Sequence, residues 1–231
     1  MPKRTLLFDI DGTLITSGGA GARALEQAFV ELAQIPDALA QVVLDGATDI
    51  SIVREALGHA GRPATDEFVD QILVRYTELL PSALTSSEGY LLLAGVPALL
   101  QRLAATDRAI GLCTGNVRAG ARAKLHHGGV WTHFEGGFEG GFGNDGAVRA
   151  DIVRAALRRA QAHHGRALVP AELLVIGDTP RDIQAAHAVG LPVLAVATGR
   201  STSAELRAAG AEDVVESLAT AEALKILEVD T

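Results

Sequence analysis

Thr5-Leu6-Leu7-Phe8-Asp9-Ile10-Asp11-Gly12-Thr13-Leu14 is the stretch that decides the fold. It opens as an apolar run too short to cross a membrane. A continuous run of this length reads as a strand buried on both faces. The run then breaks into two carboxylates one residue apart. Side chains two apart on a strand point the same way, so Asp9 and Asp11 converge at its C-terminal edge. Gly12 lets the chain turn there. Open parallel sheets keep their ligand sites at that edge. Two carboxylates so close repel unless a cation or a proton shares the site. The apolar strand before the pair and Gly-Thr-Leu after it favour a metal-assisted site over a solvated acidic turn.

Outward from this strand, the second half of the chain alternates strand and helix. Residues 109–113 form a second apolar run, ending in Thr114-Gly115-Asn116. Residues 173–176 form a third, ending in Gly177-Asp178-Thr179-Pro180-Arg181-Asp182. A fourth spans 192–197 and ends in Thr198-Gly199-Arg200, and 213–215 make a short last strand. Helices are expected between them, including one from Arg149 to about His163. The segment 128–146, rich in glycine and aromatics, is expected to be irregular or a short hairpin. Alternation of this kind predicts an α/β fold with a parallel, Rossmann-like sheet. Right-handed crossovers can bring the polar residues after three strands to one edge.

The segment from Ala22 to about Leu80 has no strand pattern. Ile15 to Ala22 is small and glycine-rich and reads as a hinge. Leu25, Ala28, Phe29, Leu32 and Ile35 follow a helical period. Pro36 interrupts it, and a short helix is expected over 37–44. After the turn 45–49, Thr48 or Asp49 caps a helix through His59. Thr65 caps another, which carries Phe68, Ile72, Tyr76, Leu79 and Leu80 on one face. Residues 81–89 read as the linker back. The expected organisation is an α/β core over 1–16 and 88–231 with a helical insert over 17–87.

Composition narrows the function classes. The 231 residues are 48% hydrophobic, enough for a substantial core. The net charge of -8 and the lack of a Lys/Arg cluster argue against a nucleic-acid or anionic-membrane surface. The single cysteine, Cys113, allows no intramolecular disulfide and no multi-cysteine metal site. The basic start Met1-Pro2-Lys3-Arg4 is followed by too few apolar residues for a signal peptide. The expectation is a soluble cytoplasmic protein, monomeric or homodimeric, without nucleic-acid or membrane partners.

With these motifs in order, the chain resembles the haloacid dehalogenase superfamily, and within it the phosphoglycolate-phosphatase-like group with a C1-type helical cap. Asp9-Ile10-Asp11-Gly12-Thr13-Leu14 matches the first motif, Thr114 the second, and Gly177-Asp178-Thr179-Pro180-Arg181-Asp182 the fourth. The resemblance implies a Mg2+-dependent phosphatase acting on a small phosphate ester. Asp9 would be the nucleophile and Asp11 the general acid and base. Mg2+ would sit on the Asp9 carboxylate, the Asp11 carbonyl and Asp178. Thr114 and Gly115 would hold a phosphate oxygen. Asp182 would either support the metal's water shell or serve only as a helix-start carboxylate. The family's third motif is a basic residue, usually Lys. Arg149 takes that place here, with Lys124, on the helix after Thr114, as second choice. Thr48 and Asp49 fall in the family's specificity loop and either read the leaving group or only cap a helix. Asn116 is either a helix cap or a phosphate neighbour, with the cap favoured.

The resemblance also limits the alternatives. Relatives that remove halogen lack a second Asp, and Asp11 is present. A phosphonate hydrolase takes a Schiff-base Lys from its cap, and this insert has none. A sugar-phosphate mutase remains open, as does a non-catalytic regulatory protein that retains the fold.

Overall fold

The computed structural model describes residues 4–229. Met1, Pro2 and Lys3 of the basic start lie outside these residues, as do the last two positions. In chain order the elements are β1 (Thr5–Phe8), β2 (Ile15–Ser17), α1 (Ala20–Ala33), α2 (Asp49–His59), α3 (Asp66–Thr85) and β3 (Tyr90–Leu92). They continue with α4 (Val96–Ala104), β4 (Ile110–Cys113), α5 (Arg118–His127), β5 (Gly140–Gly141), α6 (Arg149–His164) and β6 (Leu173–Gly177). The chain closes with α7 (Pro180–His187), β7 (Val193–Val196), α8 (Ser203–Ala208), β8 (Asp213–Val215) and α9 (Ala221–Ile226).

The six-stranded sheet has the order β5-β4-β1-β6-β7-β8 with every pair parallel. The fold is therefore α/β, as the alternating pattern predicts. All four residues of β1 are buried. Leu6 and Phe8 join a cluster with Leu99, Leu100 and Leu125 on one face of the sheet. Leu7, between them, joins Ile152, Val153 and Ile183 on the other. That alternation is the period of two for a strand covered on both faces. Strand order reverses at β1, whose neighbours are β4 and β6. A crevice forms at such a switch point, outside the carboxyl ends of the strands.

Helices α1, α2 and α3 build a separate apolar cluster from Phe29, Val53, Leu57, Ile72 and Tyr76, which Val117 of the sheet domain also joins. Three local expectations change in and around this region. Residues 37–41 form turns and 42–44 irregular chain, rather than a helix. The Glu26 carboxylate accepts from Ala38 N and Leu39 N at 2.9 and 2.8 Å, and Asp37 has φ 52°, which together fix a non-helical path. Pro81 does not end α3, because buried Leu80 and Leu84 carry the apolar stripe through it. The segment after Leu14 is not all hinge: Ile15–Ser17 pairs antiparallel with Tyr90–Leu92, so the outgoing and returning chains form one ribbon. Gly18 and Gly19 follow with φ 57° and 78°. The 128–146 segment is also not a hairpin. Its strand β5 runs parallel to β4 as the sheet edge. Among the described residues no helix is long and apolar enough to cross a membrane.

Gly12 turns the chain out of β1 at φ 84°, and a Cβ there would collide with the Asp178 carboxylate. Gly12→Ala is expected to lower stability by about 1–2 kcal/mol from the left-handed backbone alone. Urea unfolding measures this, and an unchanged midpoint would refute the tight Gly12–Asp178 approach.

Candidate active site

The sheet topology delivers Asp9 from β1, Thr114 from β4, Asp178 from β6 and Thr198 from β7 to one edge. Asp9 N donates to Ile176 O at 2.8 Å, which extends the β1–β6 pairing to the site. Thr13 Oγ1 donates to Asp178 Oδ1 at 3.0 Å, and Thr198 Oγ1 donates to the Gly12 carbonyl at 2.6 Å. Asp9, Asp178 and Asp182 are all buried, with carboxylate oxygens within 4.8 Å of one another. Burial pushes Asp9 up to about 7, against the pull of Arg149 and with a further push from Asp182. Burial, then Asp182 and Asp9, push Asp178 up to about 9.

Arg149 stands in the first turn of α6 and reaches into this cluster. Its Nε donates to Asp182 Oδ1 at 2.7 Å, its Nη1 donates to the Gly46 carbonyl at 3.2 Å, and its Nη2 lies 2.9 Å from Asp9 Oδ2. Nη2 also pairs with Asp182 Oδ1, so the guanidinium bridges the Asp9 and Asp182 carboxylates. Asp182 is fully committed: its other oxygen takes Thr179 N at 3.0 Å and Thr179 Oγ1 at 2.7 Å. Asp9 and Asp178 are thus the members of the cluster left to meet a cation.

Asp11 does not share that cluster through its carboxylate. Its Oδ2 accepts from Lys124 Nζ at 2.6 Å and from Asn116 Nδ2 at 2.8 Å. Burial alone would raise its pKa, but the Lys124 charge and these bonds hold it below the usual carboxylate range. Lys124 also donates to Asn116 Oδ1 at 2.6 Å. Asn116 is therefore no helix cap. Val117 occupies the cap position of α5, and the Asn116 side chain is spent on Asp11, Lys124 and Thr114. Thr114 Oγ1 accepts from Asn116 N and Nδ2 at 3.3 and 2.9 Å, which leaves its own proton unspent.

Both basic residues weighed from the sequence enter the site, Arg149 at Asp9 and Lys124 at Asp11. The signal for Lys124 lay in the buried helical stripe Val117, Ala121, Lys124, Leu125. Thr48 caps α2 through Ser51 and donates to Ala147 O at 3.1 Å. Asp49 does more than begin that helix: its Oδ2 accepts from Val117 N at 2.8 Å, and its N donates to Gly115 O at 2.9 Å. Burial pushes its carboxyl up to about 6, against the Lys124 charge. Asp9, Asp11, Asp49, Thr114, Gly115, Lys124, Arg149 and Asp178 all line one cavity of about 420 Å³.

Comparison with known proteins identifies the family and the fold. A family model for haloacid dehalogenase-like hydrolases matches residues 3–190. A phosphoglycolate phosphatase from Yersinia pseudotuberculosis is 30% identical over 198 residues, covering 85% of this chain and 82% of the relative. Among solved structures, a hydrolase from Pseudomonas syringae superposes with a TM-score of 0.72 at 22% identity, over 99% of this chain and 100% of that one. CbbY from Rhodobacter sphaeroides, solved in complex with phosphate, superposes with a TM-score of 0.73 at 20% identity, over 94% and 95%. At such identities the two structures speak to the fold alone.

The carboxylate cluster predicts a pH dependence. Asp9 and Asp178 have folded pKa values of about 7 and about 9, above an unfolded value of about 3.9. A carboxyl raised by folding favours the protonated fold, so its contribution is present at low pH and lost as pH rises through the folded value. Without divalent ions, the contribution of these two groups to Tm is expected to fall from about pH 4 upward, Asp9's share ending near pH 7 and Asp178's near pH 9. A divalent cation should restore more Tm at the upper end than at about pH 5. Differential scanning fluorimetry reads both, and a cation effect independent of pH would contradict the cluster's role.

Proposed function

The chain belongs to the haloacid dehalogenase-like hydrolase family, and on that premise we propose that it is a phosphatase for a small phosphorylated metabolite, acting through a phospho-enzyme on Asp9. The observation that carries this reading is Arg149 Nη2. It pairs with both Asp9 Oδ2, at 2.9 Å, and Asp182 Oδ1 on the wall of the same cavity, so a fixed buried cation stands beside Asp9. A phosphate oxygen bound at Asp9 would meet the same guanidinium. A carboxylate is a known covalent nucleophile for phosphoryl groups.

In this reading an Asp9 oxygen attacks phosphorus in line, and the bond from phosphorus to the leaving oxygen breaks. Asp11 gives its proton to that oxygen. The Lys124 charge opposes protonation of Asp11, whereas an incoming phosphate dianion favours it. In the second half Asp11 takes a proton from water, the water oxygen attacks phosphorus, and the Asp9 carboxylate is regenerated. Asp11 as arranged here, with Lys124 and Asn116 both on Oδ2, is ready for that base role. Arg149 and the unspent Thr114 proton would meet phosphate oxygens, together with Gly115 N–H. Such preset charges and dipoles supply most of the stabilisation in phosphoryl transfer. Asp182, spent on Arg149 and Thr179, positions the guanidinium.

The residues fit a Mg2+ ion. Asp9 and Asp178 are hard oxygen donors at close range with raised pKa values, and Arg149 is the cation already beside Asp9. Asp9, Asp178 and the Asp11 carbonyl would hold it. When bound, Mg2+ offsets the repulsion between the carboxylates and phosphate. We take residues 17–87 as a cap over the cavity, joined to the core through Gly18-Gly19 and the β2–β3 ribbon. Lids of this kind exclude water during the reaction.

Hydrolysis of p-nitrophenyl phosphate with Mg2+ is expected, and Asp9→Asn should lose turnover by about 10³-fold or more. Full activity in Asp9→Asn would end the phospho-enzyme reading. Lys124→Met should lower kcat by about 10²-fold on alkyl phosphates but much less on p-nitrophenyl phosphate, whose leaving group needs no proton. Equal losses on both would mean that Lys124 does not position Asp11.

A further inference from the structure

The part of the cavity beyond the phosphate-facing residues has its own chemistry. Leu25, Leu39, Leu44 and Ile52 supply an apolar wall from the inserted helices and loop. Set into it are two polar groups with unused hydrogen-bonding capacity. Asp49 spends one carboxylate oxygen on Val117 N, and its other oxygen has no hydrogen-bond partner among the described residues. The Tyr76 hydroxyl likewise has none among them, although the ring is buried.

The charge balance of the cavity is unfavourable to a second anion. Five carboxylates line it, against the three cations Lys124, Arg149 and Arg200. Lys124 is held by Asp11 and Asn116, and Arg149 by Asp182 and Asp9. Arg200 stands at the mouth, 83% exposed and 3.5 Å from Asp45. A divalent ion and the phosphate of a substrate would consume each other's charge. A carboxylate on the leaving group would then enter a site whose enclosed cations are already paired. Burying an unpaired charge next to like charges costs several kcal/mol.

We infer that this cavity selects a phosphate monoester whose leaving alcohol is uncharged and hydroxylated, with a carbon face toward the leucine wall, and that it discriminates against leaving groups bearing a carboxylate. The inference rests on the phosphatase reading and narrows it. A hydroxyl of the leaving alcohol donates to Asp49, and another pairs with Tyr76, at sites where a carboxylate would meet Asp49 as a like charge. The family relative in Yersinia pseudotuberculosis is named for an ester of the excluded kind, so the two readings separate cleanly in an assay.

The test uses the full chain with Mg2+ and two matched pairs of esters. In each pair a CH2OH replaces a carboxylate: 2-hydroxyethyl phosphate against phosphoglycolate, and glycerol 1-phosphate against 3-phosphoglycerate. The neutral member should lead in kcat/KM by about tenfold or more in both pairs. Asp49→Asn should shift both ratios toward the acids by about tenfold, because it removes a facing negative charge but keeps an amide of the same shape. Turnover of p-nitrophenyl phosphate by this variant reports that it is folded, and if it is not, the wild-type ratios still decide. Preference for the acids, lost in Arg200→Ala, would overturn the inference and make Arg200 the carboxylate reader while leaving the phosphatase reading intact. Ratios unmoved in a folded Asp49→Asn would also overturn it. No turnover of any ester, p-nitrophenyl phosphate included, would bring down both readings.

Discussion

Three buried carboxylates confined within 4.8 Å are the constraint on which the rest of the site depends. Like charges at that distance in a desolvated edge cannot all be ionised without compensation. The chain answers in two ways. Asp182 is neutralised outright by Arg149 and closed off by Thr179. Asp9 and Asp178 are left partly uncompensated, with their pKa values pushed to about 7 and about 9. That residue of negative charge is a standing demand for a cation. Two glycines, Gly12 and Gly199, approach Asp178 so closely that neither leaves room for a Cβ. Backbone is brought against the carboxylate where a side chain would hold it away.

Arg149 ties this electrostatic problem to the inserted helices. The same guanidinium that meets Asp9 and Asp182 donates to the Gly46 carbonyl of the loop before α2. Asp49 adds contacts to Gly115 and Val117, and Thr48 adds one to Ala147. The loop 45–49 is thus fastened to the segments that follow β4 and β5 rather than resting on a generic surface. Arg149 is thus a shared contact of the loop and of the carboxylate cluster beneath it. The cap roles of Thr48 and Asp49 and their contact with the core are not alternatives, since each residue does both.

Much of this was legible in the chain itself. The apolar runs and the alternation of strand and helix gave the parallel sheet, and the polar residues directly after each run marked its ligand edge. Helix starts at Thr48 and Thr65 follow from local capping chemistry, which depends on residues three apart. Other local readings failed where a distant partner intervened. Glu26, twelve residues before Ala38, turns 37–44 away from helix. Buried leucines on both sides carry α3 through Pro81. Asn116, a sound cap by local rules, is drawn instead to Asp11, more than a hundred residues earlier.

Fold class and the residue types that end each strand follow from the chain alone, because hydrophobic period and turn chemistry act over a few residues. The chain alone also ranked Arg149 ahead of Lys124 as the basic partner, although both enter the site. Only the tertiary structure decided that Asp9 and Asp11, neighbours on one strand edge, part company. Asp9 turns to Asp178 and Arg149, and Asp11 to Lys124 and Asn116. Which cation meets which carboxylate depends on how α5 and α6 pack against the sheet, and that is fixed by long-range burial rather than by spacing along the chain.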